Sequence, residues 1–181
     1  ELGIPGEHNL QNFLAASTCS HLMGISQNQI VKSMKEFKGV EHRLEYVRTI
    51  NEVKYINDSK ATNIDSVIVA INTYNQPIVL ILGGFNKGAN FRLLLPHIKS
   101  SHVRDIVSYG DAGGQINTAL GDAVRSVQVT DLSSAVKKAQ LMAAPGDIVL
   151  LSPGCASYDE FSNFEERGNH FKSIIKSIAI S

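Results

Sequence analysis

The chain has 181 residues, enough for one domain with a full core or for one domain plus part of another. Hydrophobic residues make up 43% and charged residues 19%, which is typical of a folded protein rather than a disordered one. Seventeen basic residues balance seventeen acidic ones, so the composition gives no basic footprint for nucleic acid or anionic lipid. The apolar runs fall well short of the ~20 residues that span a bilayer, and no secretory signal is visible. We therefore expect a cytoplasmic protein with no nucleic-acid or membrane partner, and free thiols at its two cysteines.

Two helices are predicted at the start of the chain. The apolar residues of 8–22 recur at helical spacing, and Gly24 can end this helix. A second helix is predicted to begin after Ser26, because Gln29 three residues later completes a capping-box pattern. Gly39 is the predicted end of this second helix.

From residue 40 onward, apolar strands alternate with helices. Strands are predicted at 44–50, 53–56, 78–82, 106–109, 124–129 and 148–151. Helices are predicted around 64–71, 93–99, 115–120, 132–139 and 171–178. This alternation predicts an α/β fold in which a mainly parallel sheet carries helices on both faces, preceded by a short helical segment. Ligands of such sheets bind at the carboxyl ends of the strands.

Two polar segments near the start of the chain are candidates for binding a nucleotide. In residues 6–12, Asn9 and Asn12 can offer amides at a helix N-terminus, although an Asn cap with a neighbouring surface amide is the simpler explanation of this segment alone. In residues 41–45, Arg43 can hold a phosphate through two parallel N–H bonds. The alternative for this second segment is a charged cluster that protects an edge strand.

The loop at 57–63 is the most informative polar segment. It follows a predicted strand, precedes a predicted helix, and contains a carboxylate, an amine, two hydroxyls and two amides. Thr62 or Asn63 can cap the helix, but capping does not explain Asp58 and Lys60. A loop at the carboxyl end of a strand, with a helix dipole aimed at it, suits a carboxylate or phosphate ligand.

A glycine-rich loop at 83–88 follows the next buried strand. Its glycines permit close approach of the backbone, and Lys87 adds a point charge. The spacing is neither that of a P-loop nor G-x-G-x-x-G, so a nucleotide motif is not supported here. An ordinary turn with a solvated lysine is the alternative.

A long loop at 152–164 follows the last predicted strand. Ser157 can donate a hydrogen bond to an anion, while Phe161 and Phe164 can exclude water. Cys155 is a weak candidate nucleophile, because no basic partner lies in the same loop to activate it. None of the six histidines shows the spacing of a zinc site.

Together and in this order, these segments resemble the C-terminal part of the Mur ligase family, and within it the members that add D-glutamate. The segments that carry the resemblance are 5–12, 39–45, 57–63, 83–88 and 150–168. The resemblance implies an ATP- and Mg²⁺-dependent ligase of peptidoglycan precursor synthesis. Such an enzyme phosphorylates the carboxylate of UDP-N-acetylmuramoyl-L-alanine, and the amine of D-glutamate then attacks the acyl phosphate.

The resemblance also implies a domain organisation. Residues 1–38 correspond to the tail of the central ATPase domain, and residues 39–181 correspond to the C-terminal domain, a six-stranded Rossmann-like fold. The UDP-binding domain and the P-loop then lie outside this chain, together with most of the metal ligands. We therefore expect the chain not to turn over alone, and to meet UDP-N-acetylmuramoyl-L-alanine only through the missing domains.

The family's functional residues can be carried over by motif. The resemblance assigns D-glutamate binding to Thr62, Lys87, Ser157, Tyr158 and Phe164. It assigns ATP binding to Asn9, Asn12, Arg43 and Asp58. It assigns catalytic roles to Lys60 and Asp58, and it assigns no metal ligand. The family often has Asp where this chain has Phe85 or Asn86, and also where it has Asn90, so Lys87 has less to orient it.

Two alternatives remain open at this point. The first is a non-catalytic nucleotide-binding module of Rossmann type, against which the missing G-x-G-x-x-G after the first strand argues. The second is a sister ligase of folylpolyglutamate type, against which the loop at 57–63 argues. The preferred interpretation requires Thr62, Lys87 and Ser157 to meet at one edge of a single sheet.

Overall fold

A computed structural model describes residues 7–179. The chain divides into two compact units, one ending at Val40 and the other beginning at Glu41, and each is described by itself. None of the helices in the described range combines the length and the apolar character that a membrane crossing requires.

The first unit contains two helices, α1 (Glu7–Leu22) and α2 (Gln27–Glu36). The predicted capping box of α2 is present, because Ser26 accepts a hydrogen bond from the Gln29 amide and the Gln29 side chain accepts one from the Ser26 amide. The helix ends earlier than the predicted Gly39, since Phe37 adopts an extended backbone. The Phe37 ring packs edge-on against Phe13, with 5.8 Å between centroids.

The second unit is a six-stranded α/β fold. Its strands are β1 (Glu45–Ile50), β2 (Val53–Asn57), β3 (Ile78–Gly83), β4 (Val103–Tyr109), β5 (Arg125–Gln128) and β6 (Ile148–Gly154). Its helices are α3 (Ile64–Ile71), α4 (Leu95–Ser100), α5 (Gly113–Leu120), α6 (Leu132–Met142) and α7 (Phe164–Ser177), with short 3-10 turns at Phe91–Leu94 and Gly121–Ala123. The strand order is β1-β2-β6-β3-β4-β5, in which only the β1–β2 pair is antiparallel. The predicted mainly parallel sheet is confirmed.

The two faces of the sheet carry separate apolar cores. Successive residues of β3 show the division, because Leu80 and Leu82 pack with α3, α4 and α5, whereas Val79 and Ile81 pack with α6 and α7. A strand covered on both faces has no solvent-facing positions. This explains why the sequence of β3 is a continuous apolar run and does not alternate between apolar and polar residues.

The start of β4 differs from its prediction. The strand begins at Val103 rather than Ile106, because two polar residues belong to it. Asp105 is buried and accepts hydrogen bonds from Arg104 at 2.9 Å and from Arg125 of β5 at 2.5 Å. Although burial acts in the opposite direction, these bonds hold the pKa of Asp105 below its usual value. A charged residue in a central strand is therefore paired across the sheet.

Candidate functional site

Three loops meet at one edge of the sheet. Strands β2, β6 and β3 are parallel neighbours, so their carboxyl ends lie side by side. The loops that follow them are the β2 loop (58–63), the β3 loop (84–90) and the β6 loop (155–163). This is the edge at which parallel α/β sheets bind ligands.

Backbone hydrogen bonds hold the three loops together. The Gly154 amide, at the end of β6, donates to the Ala61 carbonyl oxygen of the β2 loop at 2.9 Å. Phe85 and Ala156 form a two-way bridge between the β3 and β6 loops, with N···O distances of 2.9 and 3.1 Å. Thr62, Lys87 and Ser157 are each within two residues of one of these contacts. They therefore lie at the same edge of the sheet.

A buried arginine of α7 donates hydrogen bonds to two of these loops. Arg167, in the first turn of α7, is fully buried. Its guanidinium donates to the Ser59 hydroxyl at 2.9 Å and to the Ser59 carbonyl at 2.8 Å. It also donates to the carbonyls of Cys155 and Ala156, at 3.0 and 3.1 Å. Of the carboxylates in the described range, none lies within 4.0 Å of Arg167, so its hydrogen bonds are made to neutral oxygens.

Two exposed lysines of the site lie over aromatic rings. The ammonium of Lys87 is 4.9 Å from the centroid of Tyr158, and that of Lys60 is 5.0 Å from the centroid of Phe164. Among residues 7–179, no carboxylate lies within 4.0 Å of either ammonium. Two positive charges therefore face solvent at this edge without an acidic partner.

Ser157 lies deeper than the two lysines. It is buried, and its carbonyl oxygen accepts hydrogen bonds from the amides of Glu160 and Phe161 at 3.2 and 2.8 Å. Phe164 is half-buried, and its carbonyl oxygen accepts a hydrogen bond from the Ser59 hydroxyl at 2.8 Å. The backbone that flanks the two aromatic rings is thus fixed by local turns and by the β2 loop.

Asp58 faces the interior instead of the open edge. One carboxylate oxygen accepts a hydrogen bond from the Ser152 hydroxyl at 2.8 Å, and the other accepts one from the Leu44 amide at 3.1 Å. Burial raises its pKa to about 6, even though both hydrogen bonds and the positive charge of Arg43 act to lower it. The carboxylate thus connects the segment before β1 to β6.

Asn63, rather than Thr62, caps helix α3. The Asn63 side-chain oxygen accepts a hydrogen bond from the Ser66 amide at 2.9 Å. Thr62 is exposed, so its hydroxyl is available to a ligand.

The residues predicted to bind the nucleotide occupy both units. Asn9 is half-buried and Asn12 is exposed, and both lie within α1, which begins at Glu7, so neither caps that helix. Pro5 and Gly6 of the same motif lie outside the described residues. Arg43 belongs to the second unit, where it is exposed just before β1. An exposed guanidinium can bind a phosphate through two parallel bonds.

One cluster of acidic and histidine side chains has the spacing of a metal site, but a lysine ammonium already pairs with its carboxylates. Ligand atoms of Glu41, His42 and Glu45 lie within 4.8 Å of one another. The ammonium of Lys172 pairs with both glutamates, at 3.2 Å from Glu45, and burial lowers the pKa of His42. Mg²⁺ requires near-octahedral oxygen ligands, so a cluster of one buried imidazole and two lysine-paired carboxylates does not fit it.

Cys155 is shielded from solvent, and burial raises its thiol pKa to about 12. A protonated, buried thiol is a poor nucleophile, in agreement with the sequence. Both cysteines are free thiols.

Residues 42–155 match the family model described as "Mur ligase, glutamate ligase domain". The chain belongs to the Mur ligase family. The match covers both the β2 loop and the β3 loop and ends at the start of the β6 loop. The family resemblance predicted from the sequence is confirmed.

Named relatives of this Mur ligase chain are D-glutamate ligases. The UDP-N-acetylmuramoylalanine–D-glutamate ligase of Pelotomaculum thermopropionicum is 47% identical over 98% of the chain and 39% of that protein. The enzyme of the same name from Bacillus mycoides is 45% identical over 94% of the chain and 38% of that protein. The chain thus spans about two fifths of the length of the relatives it matches.

Solved structures with the same fold include other ligases. The UDP-N-acetylmuramate–alanine ligase of Thermotoga maritima superimposes with a TM-score of 0.70 at 18% identity, over 96% of this chain and 39% of that one. A folylpolyglutamate synthase of Thermotoga maritima gives 0.64 at 15% identity, over 99% of this chain and 41% of that one. At these identities the likeness shows a shared fold. The predicted Rossmann-like architecture is confirmed.

Proposed function

We propose that this chain is the C-terminal part of an ATP-dependent ligase that adds D-glutamate to UDP-N-acetylmuramoyl-L-alanine in peptidoglycan precursor synthesis, and that it supplies the D-glutamate site. One observation carries the proposal. The loops after β2, β3 and β6 are joined at one sheet edge, where two lysine ammonium groups have no carboxylate partner among the described residues. The names of the relatives at 45–47% identity support the same substrate.

The chemistry of D-glutamate suits this edge. The amino acid carries two carboxylates, which need cations, hydroxyls and N–H donors around them. In our proposal, Lys87 and the exposed Thr62 hold one end of the molecule. Ser157 and the backbone near Tyr158 and Phe164 hold the other end, so that the amine is presented to the acyl phosphate.

Lys60 and Asp58 take different roles in the proposal. The ammonium of Lys60 is exposed at the edge, where it can neutralise charge that develops as the acyl phosphate reacts. Asp58 has both carboxylate oxygens occupied inside the fold, so we assign it a positioning role rather than contact with the reacting atoms. Through the Leu44 amide it fixes the backbone that follows Arg43. Positioning and charge neutralisation are the main contributions that proteins make to phosphoryl transfer.

We propose that ATP lies between the missing part of the enzyme and this chain, with Arg43, Asn9 and Asn12 as contacts. Residues 1–38 would be the tail of the central ATPase domain and residues 39–181 the C-terminal domain. The cluster of Glu41, His42 and Glu45 does not fit Mg²⁺, and in this proposal the metal ligands lie mainly in the parts of the enzyme outside this chain. In the same proposal, UDP-N-acetylmuramoyl-L-alanine binds to the parts of the enzyme outside this chain, and the enzyme works in the cytoplasm.

The test measures amide formation by the complete polypeptide that contains this chain. With ATP, Mg²⁺ and UDP-N-acetylmuramoyl-L-alanine present, we expect turnover with D-glutamate and little or none with L-glutamate. The isolated chain should give no turnover. A complete enzyme that prefers L-glutamate, or that ignores both isomers, would refute the proposed substrate.

A further inference from the structure

A tight turn fixes the backbone of Lys87 but not its ammonium group. The side-chain oxygen of Asn86 accepts hydrogen bonds from the amides of Gly88 and Ala89, at 2.9 and 2.7 Å. Gly88 has a φ of +93°, a conformation that glycine adopts without strain. The lysine stem, however, is flexible, so the turn alone leaves the ammonium unplaced.

The ring of Tyr158 supplies the missing constraint. The Lys87 ammonium lies 4.9 Å from the ring centroid, within the ~6 Å over which an aromatic face attracts a cation. A carboxylate in the same place would also orient the lysine, but it would pair with the ammonium and compete with an acidic ligand. An aromatic ring carries no net charge, so the positive charge of Lys87 remains available.

The ring itself is held in place by the backbone around it. The bridge between Phe85 and Ala156 fixes the separation of the β3 and β6 loops two residues before Lys87 and Tyr158 respectively. Immediately after the bridge, the carbonyl of buried Ser157 closes a turn with two amides. Tyr158 thus projects from a rigid segment although the residue is 61% exposed.

A second pair repeats the arrangement. The Lys60 ammonium of the β2 loop lies 5.0 Å from the ring centroid of Phe164. The segment 158–164 therefore provides an aromatic face to one lysine from each of the two neighbouring loops.

We propose that Tyr158 is a positioning residue that orients the ammonium of Lys87 through its ring face, leaving the charge of Lys87 free to meet a substrate carboxylate. This inference rests on the proposed function, because it assumes that Lys87 contacts D-glutamate. A cation–π contact at an exposed site corresponds to about a two- to fivefold change in affinity. The effect should therefore be modest, and it should depend on the ring and not on the hydroxyl.

The first experiment compares kinetics of the complete ligase. We expect Tyr158→Leu to raise the KM for D-glutamate about two- to fivefold while kcat changes less, and Tyr158→Phe to restore the KM. The matched control is Tyr46→Leu, since Tyr46 is similarly exposed on β1. An unchanged KM in Tyr158→Leu, or a Tyr158→Phe enzyme as impaired as Tyr158→Leu, would overturn the inference.

The second experiment needs no substrate. In the complete ligase labelled with ¹³C-lysine, the ε-CH₂ protons of Lys87, assigned with Lys87→Arg, should be shifted upfield of those of exposed Lys99 by the ring current. The shift should persist in Tyr158→Phe and vanish in Tyr158→Leu. A Lys87 signal that matches Lys99 in the unmodified enzyme would overturn the inference.

The two proposals fail in different ways. If Lys87→Ala raises the KM for D-glutamate but Tyr158→Leu does not, the positioning role is wrong and the proposed substrate site stands. If Lys87→Ala has no effect on that KM, Lys87 is not part of the substrate site, and both the assignment and the inference built on it fall.

Discussion

The guanidinium of Arg167 donates to the carbonyl oxygen of Ser59 at 2.8 Å, although 108 positions separate the two residues in the chain. The same side chain donates to Cys155 and Ala156 in the β6 loop. One buried residue therefore ties the final helix to two of the three loops at the proposed ligand-binding edge. The shape of the proposed site depends on a side chain that is itself shielded from the edge.

Replacing Arg167 should destabilise the second unit. Arg167→Met would leave two oxygens of Ser59 and two carbonyls of the β6 loop without their donors, so we expect the free energy of unfolding to fall by about 3 kcal/mol or more. Urea denaturation followed by circular dichroism measures this. The control is Arg92→Met at an exposed position, which should change it by less than about 0.5 kcal/mol. Equal losses in the two variants would refute the role assigned to Arg167.

Asp58 should make stability fall as pH rises through the mildly acidic range. Its folded-state pKa of about 6 lies above the ordinary aspartate pKa of 3.8, so between these values the folded chain binds the proton more tightly than the unfolded chain does. The ionised, buried carboxylate thus costs stability above pH 6, by about 3 kcal/mol relative to pH 3. Asp58→Asn removes this titration.

The measurement is the free energy of unfolding of both forms at several pH values from 4 to 7.5. Relative to the unmodified chain, Asp58→Asn should gain stability as pH rises across this window. Comparing slopes rather than absolute stabilities separates the titration from the altered hydrogen bonds to Ser152 and Leu44. Parallel pH profiles would show that Asp58 titrates normally.

A methyl group at Gly168 should displace the buried ring of His42. A Cβ atom built at Gly168 would lie 2.2 Å from the His42 Nδ1, so the ring or the helix must move. We expect Gly168→Ala to lower the free energy of unfolding by about 1–3 kcal/mol. Gly114→Ala in α5 is the control, since a Cβ there meets only an ordinary contact at 3.9 Å. Because alanine favours the helical conformation over glycine, this control should leave the free energy of unfolding unchanged or raise it by up to about 1 kcal/mol. Similar losses of unfolding free energy in both variants would contradict the packing argument.

In the proposed ligase, Lys87 should matter for D-glutamate and little for the other substrates. In the complete ligase, we expect Lys87→Ala to raise the KM for D-glutamate about tenfold or more, because a hydrogen bond to a charged group is worth ~1.5–3 kcal/mol. The KM for ATP should remain within about twofold. Lys99→Ala, which removes an exposed charge at the end of α4, is the control and should leave both constants unchanged. An unchanged requirement for D-glutamate would remove Lys87 from the site.

Most of the fold could be predicted from the sequence because local signals and tertiary packing agree. The connection between the predicted strands 44–50 and 53–56 is an example, since Asn51 and Glu52 both have positive φ and connect β1 to β2 directly. Two of the differences are strand boundaries, where polar residues join a strand through tertiary contacts, and a third is α7, which begins at Phe164 instead of near residue 171. Asp105 belongs to β4 because arginines pair with it, and Ser152 extends β6 beyond its predicted end because it donates to Asp58.

The loops of the site could be located from the sequence, whereas the contacts that organise them could not. Residue types placed Lys60 and Lys87 at strand ends, but nothing local shows that each lies over an aromatic ring. The burial of Arg167 could have been predicted from the sequence, because it shares its helical face with the apolar residues Phe171 and Ile175, four and eight positions later. A charged residue on an apolar face predicts a buried hydrogen-bonding role.

Strand β6 is the last strand of the chain, yet it lies between β2 and β3 in the sheet. During synthesis on the ribosome, the facing edges of those two strands must stay open until β6 has emerged. Open strand edges promote pairing with other chains. We therefore expect nascent chains that end before residue 148 to aggregate or to require a chaperone, and a ribosome-bound truncation series should show protease resistance only once β6 is exposed outside the exit tunnel.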